Sequence, residues 1–197
     1  MRSWVLPEEP VPVRLMSTIW ADTDGLHDDL AAPRDLDAWL DAVRVDRRGR
    51  AATRDELDRA RKLRDAVRRL AAHVTADDRP AAASAIDDAA VAIEAVNSVA
   101  ALRPAARLAM SGDVLSLGRE AVDSAVTTGL AGVAAEAQHL LGEKGDTLRA
   151  CHAPGCVLYF VKTHPRRAWC SVACGNRARA ARHYQSVRDA RSSSGDG

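Results

Sequence analysis

Apolar positions along the chain recur mostly at steps of three and four, the period of a helix that buries one face. The clearest run is Leu57, Ala60, Leu63, Val67, Leu70 and Val74, and it opens on a T-x-x-E capping box at Thr53 and Glu56. Ahead of it, Leu36, Trp39, Leu40 and Val43 mark one face of a shorter helix starting near Pro33, a residue suited to a first helical turn. Asp77 to Pro80 ends the long helix and starts another, with the stripe Ile86, Ala89, Ile93, Val96 and Ala100. Pro104 argues against its continuing much further. A last long helix of the body follows from Val122, Val126, Leu130, Val133, Ala137, Leu140 and Leu141, with Gly129 and Gly132 inside it as marks of close helix packing.

Between these runs the pattern changes. Met1 to Pro12 carries three prolines and reads as an extended lead-in. Val13 to Trp20 is short and apolar, and fits either a strand or a first helical turn. Asp22 to Asp29 reads as an acidic loop that lacks the alternating oxygen ligands and closing glutamate of a calcium site. Leu102 to Leu117, with Ser111-Gly112 at its middle, reads as a β-hairpin. Arg54, Arg59, Arg61, Arg64, Arg68 and Arg69 intermix with Asp55, Asp58 and Asp65, which makes a solvated helix face rather than a nucleic-acid patch. Gly142 to Asp146 is a turn and the expected domain boundary, and Arg191 to Gly197 is expected to be disordered.

Composition agrees with helices. Of 197 residues 47% are apolar but only 4% aromatic, and much of the apolar content is alanine. Charge separates two regions that periodicity alone does not. The net charge is +1, yet residues 147–197 carry nine Lys/Arg against two Asp/Glu, while residues 1–146 carry 19 against 25. An acidic body with a basic end implies two modules, the basic one suited to a polyanion. The first residues lack the apolar core of a secretory signal, and no apolar run approaches a membrane span. A cytoplasmic protein with reduced thiols is therefore expected. No P-loop, G-x-G-x-x-G, H-E-x-x-H or nucleophile elbow occurs, and His27, His73 and His139 are scattered, so no enzyme is expected.

The chemistry concentrates in Cys151 to Arg182. All four cysteines fall there as C-x4-C-x13-C-x3-C: Cys151, Cys156, Cys170 and Cys174. Pro154-Gly155 makes a tight turn between the first pair. Val157 to Val161 then reads as a strand, residues 162–165 as a turn, and Arg166 to Trp169 as a return strand. Ser171 can N-cap a helix that carries Cys174 in its first turn. Knuckle, hairpin and helix in this order make a treble-clef arrangement. Four thiolates satisfy tetrahedral Zn²⁺ with no open position, so the metal is structural. Disulfides or a redox switch are the competing readings, and His152 or His164 could replace a cysteine.

Arginines surround the cysteines. On a helix after Cys174, Arg179 and Arg182 share a face with His183 and Ser186, while Arg177, Tyr184 and Arg188 share nearly the opposite one. Arg179 and Arg182 are expected to point outward as phosphate ligands, joined by Lys162, Arg166 and Arg167 from the hairpin, with Arg177 and Arg188 as further candidates. Arg177 serves equally as a structural arginine that bonds to the knuckle, and Trp169 reads as core.

Trp169-Cys-Ser-Val-Ala-Cys-Gly-Asn-Arg177 resembles the CGNR zinc-finger family, whose motif stands here at Cys174-Gly175-Asn176-Arg177. Upstream, Val13 to Leu40, with Asp35-Leu-Asp-Ala-Trp-Leu40, resembles the start of the ABATE domain that precedes this finger. One departure is Ser17-Thr18, where the family pattern has Asn-Thr. The resemblance implies a bacterial, stress-induced transcription regulator with zinc on the four cysteines and DNA binding by the finger.

The expected fold is mainly α. It comprises a helical ABATE-like domain over 1–146 with a candidate β-hairpin, a treble-clef-like four-cysteine finger over 147–190, and a tail over 191–197. The expected partner is DNA, with a small-molecule or protein signal at the helical body, no membrane, and a homodimer as one way the body could act. The alternative is a protein-interaction module whose finger docks on an acidic partner.

Overall fold

The computed structural model describes residues 6–80, 84–119 and 124–193. In chain order the elements are α1 (Val11–Met16), β1 (Ile19–Asp22), β2 (Gly25–Asp28), α2 (Pro33–Ala42), α3 (Arg54–Thr75), α4 (Ala89–Ala100), β3 (Ala106–Ser111), β4 (Val114–Arg119), α5 (Ala125–Glu143), β5 (Leu148–Ala150), β6 (Tyr159–Val161) and α6 (Val172–Ser193). A 3-10 turn at Gly145–Thr147 joins α5 to β5. The fold is mainly α, and its described strands form three two-stranded antiparallel hairpins.

Helix α3 is the axis of the body. The Thr53 hydroxyl accepts from the Glu56 N–H at 3.2 Å while the Glu56 carboxylate accepts from the Thr53 N–H at 2.7 Å, which closes the capping box. Leu57, Ala60, Leu63 and Val67 are fully buried among α1, α2, α4 and α5. Arg64 and Arg68 depart from the solvated face expected of them, at 4% and 2% exposure. Arg64 reaches Asp28 at 2.6 Å and Asp65 at 3.0 Å. Arg68 donates to the Met16 carbonyl at 3.1 Å and spans to the Val157 carbonyl at 3.4 Å. Buried guanidinium groups persist only where acceptors meet their donors, and both have them.

The stripe of α4 is offset from the expected one. Ala92, Ala95, Val96, Val99 and Ala100 face inward, and Ile93 stands 50% exposed. Small alanines let neighbouring helices approach closely, so the inner face need not be the bulkiest. In α5, Val126, Leu130, Val133, Ala137 and Leu140 are buried as expected. Val122 lies outside the described residues. Gly129 does mark a close approach, since a Cβ there would sit 2.4 Å from Val45 Cγ1. Gly132 does not, having open space around it.

Val13 to Trp20 divides into the end of α1 and the start of β1. The hydroxyls of Ser17 and Thr18 donate to the Val13 and Leu15 carbonyls at 2.8 Å and so finish the short helix. The acidic segment that follows is a hairpin rather than a loop. Asp22 pairs with Gly25, whose φ of +125° needs glycine.

The hairpin expected around Ser111-Gly112 forms as β3 and β4, with Gly112 at φ +60° in the turn. Leu108 faces Leu117 and Met110 faces Leu115 across the strands, and opposite residues share a face. That face is apolar yet open to solvent, with exposures of 68, 69, 69 and 59% in that order.

Candidate metal centre

Strand β6 belongs to two cores at once. Side chains alternate along a strand, and here Tyr159 packs into the body beside Leu148 and Ala150, while Phe160 packs with the cysteines. The partner of β6 is β5, just ahead of Cys151. The return strand expected at 166–169 does not form, and no residue of that segment joins a ladder. The cause is Arg167. Its guanidinium pairs with the Glu9 carboxylate, donates to the carbonyls of Val161 at 3.0 Å and Cys170 at 3.2 Å, and lies over the Phe160 ring at 5.0 Å. The segment is thereby held against Glu9 and the Val161 and Cys170 carbonyls instead of in a ladder.

The four thiols converge. All are buried and unpaired as disulfides, and their Sγ atoms lie within 4.8 Å of one another. Cys170 stands 3.4 Å from Cys174 and 3.8 Å from Cys156. Sulfurs bound tetrahedrally at the usual Zn–S distance are about 3.8 Å apart, so the cage has the size of a zinc tetrathiolate. Hydrogen bonds from Cys156 and Cys170 hold the Cys151 thiol low, while the same crowding, through Cys151 first, pushes Cys156 and Cys170 up. Four thiolates cannot share this space unless a cation balances them, and a sulfur-only, buried donor set suits Zn²⁺. The four residues therefore fit structural zinc, which Cys151, Cys156, Cys170 and Cys174 would hold.

Local sequence explains the cage. Gly155 at φ +71° makes the first knuckle, and the Cys156 N–H donates back to the Ala153 carbonyl at 2.9 Å. At the second, the Ser171 hydroxyl accepts from the Cys174 N–H at 3.2 Å, the N-cap expected for α6. Each of the next three residues has its own task. A Cβ on Gly175 would lie 3.1 Å from Trp169 Cδ1, so glycine lets the indole rest on the helix. The Asn176 side-chain oxygen accepts from Arg179. Arg177 Nη2 donates to Cys174 Sγ at 3.1 Å, which offsets thiolate charge.

A second ring of contacts ties the cage to the body, and sequence reasoning missed it. Arg79 Nη1 donates to the Cys151 and Cys156 carbonyls, both at 3.0 Å. Asp77, whose side chain is fully buried, holds that guanidinium at 2.6 and 2.7 Å and also accepts from the Tyr159 hydroxyl at 3.3 Å. Burial would raise the Asp77 carboxyl, but the hydrogen bonds and charge of Arg79 outweigh it and leave the group below its ordinary value. Arg68 reaches the Val157 carbonyl and lies 5.6 Å from the Tyr159 ring centre. The Glu9 carboxylate accepts from the Val161 N–H at 2.9 Å.

The other basic residues fall in different settings. Lys162 is half-buried, with its N–H on the Thr147 carbonyl at 2.8 Å. Arg166 and Arg179 are exposed and line one groove of about 390 Å³ with Trp169, Ser171 and Gly175. Arg182 is exposed, with Nε 3.4 Å from the Ala178 carbonyl, and Arg188 is exposed further along α6. No helix among the described residues is long and apolar enough to cross a membrane.

Comparison with known families agrees with this geometry. The model of the CGNR zinc finger matches residues 147–186. The ABATE model, described as "Putative stress-induced transcription regulator", matches residues 9–144. A search of the curated proteins finds no match. Neither matched family is of an enzyme type. With more than half of its length matched by the ABATE model, the chain belongs to the ABATE family and carries a CGNR zinc finger at its C-terminal end.

Proposed function

We propose that the chain is a zinc-dependent, DNA-binding transcription regulator of a stress response. In this reading the finger meets DNA and the helical body receives the signal, with dimerisation of the body as one means. The observation that carries it is the shared groove of Arg166 and Arg179 at the start of α6, whose helix face continues the positive charge to Arg182. Phosphates are held by such arginines, and the partial positive end of the helix adds to them. Arg167 is left out of the contact set because its guanidinium already serves Glu9 and the backbone. Arg177 is left out because it serves Cys174.

The test is selection of oligonucleotides on zinc-loaded protein, followed by salt titration of the selected duplex. Arg179→Ala with Arg182→Ala is expected to weaken binding and to flatten the log–log salt slope by about two. An unchanged slope removes these residues from the interface. Selection of no sequence, together with tight binding to an acidic protein, favours the interaction-module alternative.

A further inference from the structure

We propose that a cavity in the body, between the loop after α2, the segment at Arg103 and the first turn of α5, binds a small organic anion carrying a phosphate or paired carboxylates. Its volume is about 470 Å³. That lies within the range of small-molecule sites, and it exceeds what a bare oxyanion fills. Arg48, Arg50 and Arg103 border it. None of the three donates a side-chain hydrogen bond among the described residues, although Arg50 acts electrostatically on Glu56. Three cations kept at one concavity without a ligand repel one another, and a bound anion removes that cost.

Other groups point the same way. Asp46 is the acidic residue of the wall, and its carboxylate already accepts from the Arg48 N–H at 2.7 Å. Glu56 approaches from α3 but accepts from the Ser124 hydroxyl and the Thr53 N–H. Thr128 lines the cavity, and its hydroxyl is buried with no hydrogen-bond partner among the described residues. An orphaned buried hydroxyl is uncommon and calls for a partner. The start of α5, at Ala125, adds the partial positive charge of a 19-residue helix. Val45 and Pro104 supply an apolar wall for the carbon part of the ligand. As the signal site of a regulator the cavity rests on the function proposed above. As a binding site it does not, so its test contains no DNA.

The test uses the zinc-loaded full chain, with ribose 5-phosphate and succinate as probes. Ribose and sodium chloride of matched ionic strength are the controls. Calorimetry is expected to show saturable binding of at least one anion, absent with ribose, and a rise in melting temperature above that given by salt. Arg50→Ala and Arg103→Ala should each weaken binding about tenfold or more without lowering the melting temperature of the unliganded protein. Thr128→Val should weaken binding while leaving the unliganded protein as stable or more so. Heats and melting shifts no greater than those of salt, at millimolar concentrations of both probes, overturn the proposal, as does binding that survives both arginine substitutions. Glu120 and Asp123 precede Ser124 outside the described residues. Binding that emerges only in Glu120→Gln with Asp123→Asn would also overturn the proposal, because the chain's own carboxylates would then occupy the site.

Discussion

Arg79 stands 72 residues before Cys151, yet its Nη1 donates to the Cys151 carbonyl at 3.0 Å. The same nitrogen donates to the carbonyl of Cys156, so one body arginine fixes both ends of the first knuckle. It does so from a carboxylate, Asp77, that is itself buried and bonded to Tyr159. The cage is therefore oriented by the helical body as well as by its metal.

Arg79→Met should destabilise the protein by about 2–4 kcal/mol, since it leaves the buried Asp77 charge uncompensated. Asp77→Asn in the same chain should return part of that loss. Urea unfolding of the two single variants and the double variant measures the coupling. Additive losses would show that the pair is not coupled.

Acid should weaken the same contact. The Asp77 carboxyl lies below its ordinary value in the folded chain. Its contribution is thus present above the unfolded value of about 4 and is lost as pH falls through the folded value. The stability gap between the wild type and Asp77→Asn should narrow as pH drops below about 4. A gap that stays constant there would contradict the assigned ion pair.

Chelation should unfold the finger and leave the body folded, because a module this small depends on its metal. Residues 147–190 should become sensitive to protease, while the helical core around Leu57, Leu63 and Val67 keeps its amide protection. Unchanged proteolysis of 147–190 in metal-free protein would remove the structural role of zinc.

Gly129→Ala should cost about 1–3 kcal/mol, because the new Cβ would meet Val45 Cγ1 at 2.4 Å. Val45→Ala in the same chain should recover most of it by clearing the contact. Equal destabilisation with and without Val45→Ala would place the strain elsewhere.

Local signals made the metal centre legible in the sequence. The spacing of the cysteines, the glycine turn and the Ser171 cap each act within a few residues, and each has its counterpart in the structure. The capping box of α3 and its inner face from Leu57 to Val67 were readable for the same reason, whereas Val74, at the end of the expected stripe, is exposed. What escaped was settled at long range. Glu9 and Arg167 are 158 positions apart, and nothing near Arg167 distinguishes it from its neighbour Arg166. Arg68 sits in a helix face full of charges, and only the backbone of residues 16 and 157 shows that it is buried. The offset of α4 escaped because alanine carries little periodic contrast, so Ile93 looked like core. The β5 strand escaped because it is three residues long and pairs across the knuckle it precedes.

The two-sided strand β6 bears on how such a chain could be inherited or rearranged. The family boundary falls between residues 144 and 147, but Leu148, Ala150 and Tyr159 lie beyond it and complete the core that lies before it. Recombination at that seam would strip three buried side chains from the helical domain and leave the finger with an uncovered apolar flank. Grafting the finger onto another partner would thus require that partner to offer a matching socket, including acceptors and donors in the places of Glu9, Arg68 and Arg79. The seam in sequence is not a seam in packing.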